Sequence, residues 1–294
     1  MDAADLRIFA AVARSGSMSR AASELGTVQS NVTARIRALE ERLGIELFER
    51  SNRGATLTAA GLRLRPYADR VAGLLEDARR AATDEGTPAG NLVIGSLETT
   101  AALRLSPVLA EFIATCPAVD LSLRTGTTQE LIEQTIDRRL DGAFVSGPVN
   151  HADLVVEPFF REELVVLTAP GVADFETLAA AGDLRIIVLR TGCSYRHHLE
   201  TLLARRGIVA VRRLEFGTLE AIVSCVAAGL GVTLLPEALI GPVWRHGRVR
   251  AHRLPPGEGD VDTLFIRHRD AYVSSAMRAF LDCARPMLAR QAAE

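Results

Sequence analysis

The stretch Ser17 to Gly44, SMSRAASELGTVQSNVTARIRALEERLG, restricts the possible fold more than any other part of the chain. Met18, Ala21, Ala22 and Leu25 recur at i, i+3, i+4 and i+7 behind Ser17, a good N-capping residue, and predict a short helix with one apolar face. Gly26 permits a backbone reversal, and Thr27 is placed to cap the helix that follows. In that second helix Val32, Ile36, Leu39 and Leu43 fall within a narrow arc of the helical wheel. The opposite side carries Ser30, Thr33, Ala34 and Arg37, with Gln29 on the flank of the first turn and no acidic residue before Glu40. Two helices joined by a glycine turn, the second with a short, polar, positive N-terminal half, match a helix-turn-helix that places its second helix in the major groove. Gln is a good bidentate partner for adenine there. Taken alone, the stretch also suits a two-helix corner of an all-α core.

The residues that follow separate the two readings. Ile45 to Arg50, Ser51-Asn52-Arg53-Gly54 and Ala55 to Leu57 read as a small β-wing whose tip carries Arg50 and Arg53, after which Thr58 caps a long helix. The succession Phe9, Val12, Gly16-Ser17, Ala21-Ala22, Leu25, Gln29-Ser30, Val32-Thr33, Ile36, Leu39-Glu40, Leu43-Gly44, Leu47-Phe48, Arg50, Arg53-Gly54, Leu57-Thr58 and Ala60-Gly61 runs without a gap. It closely resembles the winged helix-turn-helix of LysR-type transcriptional regulators. The resemblance implies a DNA-binding surface of Gln29, Ser30, Asn31, Thr33, Arg35 and Arg37 in the helix and Arg50 and Arg53 in the wing. The family commonly carries Arg where this chain has Ala34, leaving Arg37 or Arg35 to substitute.

Bulk properties are compatible with this. The length of 294 residues fits one small and one large domain, or three lobes. The formal net charge is −2, yet residues 1–65 hold ten Arg against seven Asp and Glu. Every basic residue other than His is Arg, with no Lys, which suits planar contacts to phosphate and guanine; a GC-rich genome accounts for it more simply. No N-terminal stretch reads as a leader and no apolar run reaches membrane-spanning length, so a cytoplasmic protein is expected. The cysteines Cys116, Cys193, Cys225 and Cys283 form no CxxC pair, which argues against a disulfide framework or structural zinc.

Leu6, Phe9, Ala10 and Ala13 give the first helix its buried stripe. From Thr58 to about Ala82 a long helix places Leu64, Ala68, Val71, Leu75, Ala78 and Ala82 at spacings of four and three, a heptad seam for pairing with a second copy. The preceding domain is too small to cover so long a stripe, which disfavours an amphipathic helix lying on its own domain. Pro66 should kink or rewind it. Thr83 to Gly90 is turn chemistry and reads as a hinge. The expected organisation is therefore a winged helix-turn-helix over 1–58, a linker and dimerisation helix with hinge over 58–88, and an effector-binding domain over 89–294.

Beyond the hinge the pattern alternates. Strands are expected at Leu92–Ser96, Val119–Arg124, Gly142–Ser146, Leu164–Thr168, Leu184–Leu189, Leu214–Phe216, Val232–Leu235 and Thr263–Arg267. Helices are expected at Ala101–Thr115, Gln129–Arg139, Ser194–Arg206, Leu219–Ala228 and Ser274 to about Arg290. Such alternation indicates mainly parallel α/β sheets covered on both faces, with ligands beyond the strand ends. Thr218 to Pro236 and LDGAFVSGP resemble the effector domain of the same family. They imply a type-2 periplasmic-binding-protein-like fold of two α/β lobes joined by two crossing strands: lobe one about 89–162 and 268–294, lobe two about 163–267. RTGTTQEL and TGCSYR resemble the branch that includes sarcosine-oxidase regulators.

Strand-end stretches are rich in hydroxyls and supply the candidate effector site: Ser96, Glu98, Thr99, Thr100, Gly126, Thr127, Thr128, Ser146, Gly147, Ser194, Tyr195, Arg196, Phe216 and Thr218. Several lead into helices, whose N-termini favour a carboxylate, and Arg196 is positioned in sequence to add a bidentate clamp. At any single position ordinary N-capping explains a Ser or Thr equally well. Glu98 argues against a pocket built only for anions and suits a zwitterionic or amine-bearing effector.

Cys193 with His197 and His198 raises the alternative of a redox- or metal-responsive regulator, but neither a resolving cysteine nor a third ligand lies at matching spacing. From other classes, an α/β enzyme or a solute-binding module remains. No P-loop, GxSxG or GxGxxG supports the first, and the N-terminal 84 residues are foreign to the second. No cofactor or metal is expected. The implied partners are double-stranded DNA carrying an inverted repeat, a small polar carboxylate-bearing effector, RNA polymerase, and further copies of the chain as a homodimer or a tetramer built as a dimer of dimers.

Overall fold

The computed structural model describes residues 1–51, 54–180, 184–209, 211–240 and 247–293. They group into two compact units, Met1–Glu85 and Gly86–Glu294.

In the first unit α1 (Ala3–Ser15), α2 (Met18–Glu24) and α3 (Gln29–Leu43) precede a two-stranded wing, β1 (Phe48–Ser51) and β2 (Gly54–Leu57), and the long α4 (Ala59–Thr83). Ser17 caps α2 by accepting from the Arg20 amide, and Gly26 makes the turn at φ +64°. The N-cap of α3 is Val28, which contributes no side-chain bond. Thr27, expected to be the cap, instead accepts from the Asn31 amide group at 3.0 Å. Phe9, Val12, Val32, Ile36, Leu39 and Phe48 form the core of this unit. The wing is tied to the end of α1 where the Ala55 amide donates to the Gly16 carbonyl at 2.9 Å.

One buried acid organises these helices. Asp5 is 2 % exposed, closes a capping box with Asp2 at the start of α1, and lies 2.7 Å from the Arg35 guanidinium and 3.2 Å from that of Arg42. Arg35 and Arg42 therefore bind α3 to α1.

Helix α4 continues through Pro66 as one helix. Pro66 lies on the exposed side, where water can solvate the Leu62 carbonyl left without its i+4 donor. The seam predicted along α4 is divided. Ala68 is fully buried, and Leu64 and Val71 pack with it against the unit's own core. Leu75 and Ala78 face outward, next to exposed Tyr67 and Leu74. The first part of the stripe thus serves the fold of its own domain.

The second unit is α/β, with more antiparallel pairing than the sequence suggests. Its first lobe is built on the parallel strands β3 (Gly90–Ser96), β4 (Val119–Thr125) and β5 (Gly142–Ser146). Around them lie α5 (Glu98–Thr100), α6 (Ser106–Thr115), α7 (Thr128–Ile136) and α11 (Ser275–Ala293). A π-turn, Ala101–Leu105, joins α5 to α6 just before Pro107, whose missing N–H accounts for the change in hydrogen bonding. Phe144 is the aromatic centre, in edge contact with Phe159 and Phe265 at 5.2 and 5.0 Å.

The second lobe contains α8 (Phe175–Ala180), β7 (Arg185–Leu189), α9 (Ser194–Arg205), β8 (Arg212–Phe216), α10 (Leu219–Ala227), β9 (Thr233–Pro236) and β10 (Arg250–Arg253). Two long strands, β6 (Leu154–Thr168) and β11 (Asp260–His268), run antiparallel between the lobes. The order β10-β6-β11-β5-β3-β4, with β9 also on β6, makes one sheet of both. The part of β6 before Leu164 is not evident in the sequence because Pro158 and the charged residues Glu157, Arg161, Glu162 and Glu163 interrupt its alternation. Pro158 is accommodated beside the register shift opposite Thr263 and Leu264, where the ladder is already broken.

Arg35→Ala should destabilise the first unit by about 1–3 kcal/mol, since it leaves buried Asp5 short of a partner. Arg37→Ala, on the exposed side, should change it by less than about 0.5 kcal/mol. Hydrogen exchange of the Phe9 to Val12 amides measures both, and equal effects would assign Arg35 no role in holding α1.

Candidate functional site

On the first unit, Gln29, Ser30, Asn31 and Arg37 are exposed and Thr33 half-buried, all on α3. The Gln29 carbonyl oxygen accepts from the Ser19 hydroxyl at 2.8 Å, which holds its amide group at the helix start. Arg35 is committed to Asp5. The Arg50 side chain and all of Arg53 lie outside the described residues.

In the second unit, the starts of α5, α7, α9 and α10 converge between the lobes. They enclose a cavity of ≈ 90 Å³, lined by Leu97, Glu98, Thr99, Thr125, Gly126, Thr127, Leu189, Arg190, Cys193, Ser194, Tyr195 and Gly217. That is several times the space one water needs. Of the fourteen candidates, Glu98, Thr99, Gly126, Thr127, Ser194 and Tyr195 share its wall. Leu97, Thr125, Leu189, Arg190 and Gly217 were not singled out in the sequence: three are apolar or glycine, and Thr125 and Arg190 match no motif.

A clasp closes one side of the cavity. The Ser194 hydroxyl donates to that of Thr128 at 2.6 Å, and the Gln129 amide to the Gly192 carbonyl at 3.3 Å. Gly192 is required here: its φ is +92°, and a Cβ would lie 2.9 Å from the Thr127 hydroxyl. Beyond the clasp is a wider, open recess lined by Thr128, Ser146, Gly147, Ser194 and Arg196, among others. Arg196 is on that side, with its guanidinium occupied by Glu200 at 3.3 Å and Glu215 at 2.8 Å, so it does not clamp a ligand in the cavity. Ser96, Thr100, Phe216 and Thr218 line neither space. Ser96 donates to the Leu97 carbonyl, and Thr218 caps α10.

The helix starts differ in how far their donors are already used. At α7 a capping box is complete: Thr127 accepts from the Glu130 amide, and Glu130 returns a bond from its carboxylate to the Thr127 amide at 2.9 Å. At α9 the N-cap is Cys193, which makes no side-chain cap bond. Burial pushes the Cys193 thiol up, away from the thiolate that redox chemistry needs. Among the described residues no group of three or more His, Cys, Asp or Glu is arranged to hold a metal.

Behind the cavity wall is a residue the sequence did not single out. Glu162, on β6 and 4 % exposed, accepts from the Tyr195 hydroxyl at 3.1 Å, and that hydroxyl lies 3.2 Å from Thr99. Thr263 on β11 also reaches Glu162, at 3.4 Å. One network therefore joins both lobes and both crossing strands. Burial raises the Glu162 carboxyl above the ordinary carboxylate range, against the opposing effects of Tyr195, Arg104 and Thr263.

The comparisons with known proteins follow this division. Residues 3–62 match the model of the bacterial regulatory helix-turn-helix protein, lysR family, and residues 85–289 that of the LysR substrate binding domain. The chain belongs to the LysR family. It is a DNA-binding transcriptional regulator with an effector-binding domain, and the matched families are regulators and not enzymes. It is 45 % identical over 287 residues to YusT of Bacillus subtilis (strain 168), described as an uncharacterized HTH-type transcriptional regulator, covering 98 % of this chain and 96 % of the relative. A full-length OxyR variant from Pseudomonas aeruginosa superposes with a TM-score of 0.76 at 21 % identity, covering 99 % and 97 % of the two chains. Full-length CbnR complexed with its target DNA gives 0.62 at 23 % identity, covering 98 % and 100 %. Both share the fold of this LysR-type regulator.

Glu162→Gln should raise the melting temperature at neutral pH, because it removes a buried acid that burial holds toward its neutral form. With the folded-state pKa raised, the native state binds more protons than the unfolded one between the two values. Wild-type stability then falls as pH rises through that window. The advantage of the variant should shrink as pH drops toward the ordinary glutamate value of 4.5. Melting curves between pH 4 and 8 test this, and a variant less stable at pH 7 would reverse the sign.

Proposed function

We propose that α3 reads the major groove of an inverted-repeat promoter site, with Gln29 contacting a base edge, Ser30, Asn31 and Thr33 alongside it, and Arg37 as the cation of the helix. The observation that carries this is the exposed, acid-free N-terminal half of α3, with Gln29 oriented by Ser19. With its amide –NH₂ directed outward, Gln29 can donate to an adenine N7, and its oxygen can exchange the Ser19 bond for the adenine amino group. Arg35 is left out of this surface because Asp5 holds it, and the wing arginines are proposed as backbone contacts from sequence alone.

Two copies pair through the outward side of α4. Its centre is the outer part of the predicted seam, Leu75 and Ala78, together with exposed Tyr67 and Leu74. The cavity between the lobes takes a small polar effector bearing a carboxylate. Its binding alters lobe closure and, through the assembled copies, the spacing of the DNA-reading helices. This requires an effector that binds the two arrangements with different affinity.

Gln29→Ala should cost about 1–3 kcal/mol on the promoter upstream of the chain's own gene and leave binding to random DNA nearly unchanged. Mobility shifts on both DNAs measure the difference, and equal losses would remove Gln29 from base reading. Leu74→Glu should reduce the number of subunits seen in sedimentation and weaken tight promoter binding, because each copy reads one half-site. Val71→Glu should instead unfold the first unit, since Val71 packs inward. An intact oligomer in the Leu74 variant would locate the interface elsewhere.

A further inference from the structure

We propose that the cavity between the lobes selects a zwitterion of the α-amino-acid class, with its carboxylate at the start of α9 and its ammonium on Glu98. This rests on the effector-site reading above and adds the charge type of the ligand.

The wall of the cavity carries two formal charges, Glu98 and Arg190. They differ in what they already hold. The Arg190 guanidinium lies 3.3 Å from the Glu130 carboxylate, the same carboxylate that closes the capping box of α7. Arg190 thus already has a partner within the protein. Glu98 is half-buried, and its side chain makes no hydrogen bond or ion pair with any described residue; only its backbone carbonyl is used, by the Ala101 amide. Its place in the first turn of a helical run suits the helix dipole, which explains why an acid is tolerated there. The dipole does not explain why an acid should border an enclosed ligand-sized space, where a carboxylate loses part of its hydration and gains no partner.

The opposite requirement comes from α9. This helix runs from Ser194 to Arg205, and its N-cap, Cys193, makes no cap bond of good geometry and offers the Tyr195 and Arg196 amides only its sulfur, a weak acceptor. Ser194, Tyr195 and Cys193 all line the cavity. A carboxylate placed there meets amides that hold only a weak sulfur acceptor, and the positive end of the dipole. In so small a space, that carboxylate alone would be repelled by Glu98, and an amine alone would meet the α9 donors. A molecule with both charges a few bonds apart satisfies both ends. A second negative charge on the ligand is disfavoured for the same reason, because Glu130 also approaches the Gly126 edge of the wall.

The test uses the full-length chain, with thermal shift and calorimetry against the twenty L-amino acids. Each amino acid that binds is compared with the acid lacking its amine and the amine lacking its carboxylate. The expected result is saturable stabilisation by at least one amino acid, with both counterparts at least about 10-fold weaker, in line with loss of a charge-assisted hydrogen bond. Glu98→Gln should weaken the amino acid about 10- to 100-fold and leave the deaminated acid equal or tighter, while Glu98→Asp keeps the preference for the amine. Both variants should melt near the wild type without ligand, since the Glu98 side chain contributes no hydrogen bond or ion pair to the described fold. The proposal is overturned if no amino acid binds, if the deaminated acid binds as well as the amino acid, or if Glu98→Gln leaves affinity unchanged. Mobility shifts on promoter DNA in the same samples keep the outcomes apart. Promoter binding that responds to the deaminated acid alone would retain the effector cavity and remove the ammonium contact.

Discussion

The effector domain depends on the antiparallel pairing of β6 with β11. Strand β6 is fifteen residues long; its first half pairs with β11, and its second half with β9 and β10. Every other strand of the first lobe is reached through β11 and β5, and the second lobe hangs from the buried run Leu164 to Leu167. Any change in the angle between the lobes must therefore bend or twist these two strands near Glu162 and Leu164. That is where Glu162 collects bonds from Tyr195 and Thr263, and where Tyr195 meets Thr99 at the cavity wall. A ligand that takes over the Thr99 hydroxyl acts on a residue one bond away from the hinge.

The first unit uses its charge differently. All its cations are Arg, and the seven acids of residues 1–65 are set largely away from the start of α3. Two of the arginines that a count would assign to DNA, Arg35 and Arg42, converge on Asp5 and hold the recognition helix on α1. These pairs add less to stability than their Coulomb energy suggests, because buried Asp5 loses its water while both arginine side chains stay partly exposed. Their clearer effect is to fix the rotation of α3 about its own axis. With Arg35 turned inward, the wheel presents Gln29, Thr33 and Arg37 outward together.

What could be read from the sequence follows from periodicity. The two-helix stretch, the wing and the α/β alternation each carry a repeat that burial imposes, and Ser17, Gly26 and Thr58 mark boundaries through local backbone chemistry. The seam on α4 shows where periodicity stops being informative. Leu64, Ala68, Val71, Leu75 and Ala78 share one spacing, yet the first three bury against α1 and the core while the last two face out. A heptad pattern records that a face is apolar and does not record what covers it. The first half of β6 was hidden for the converse reason. Its partner β11 is about a hundred residues away, and a bulge absorbs Pro158 where local propensity argues against a strand.

The site was legible as chemistry but not as geometry. Hydroxyls before helices serve either as caps or as ligand donors, and the two uses look the same in a sequence. Thr127 and Thr218 turned out to cap α7 and α10, and the second bond of the capping box takes the Thr127 amide as well. Helix α9, like the short α5, lacks such a cap; its N-cap position is filled by Cys193, a weak acceptor raised toward its neutral thiol by burial. The residue that looked like a reactive centre thus acts by leaving something undone. With a Ser or Asp at that position, the first-turn amides of α9 would be satisfied within the protein. With Cys193 there, the Tyr195 and Arg196 amides face only a weak sulfur acceptor at the edge of the cavity.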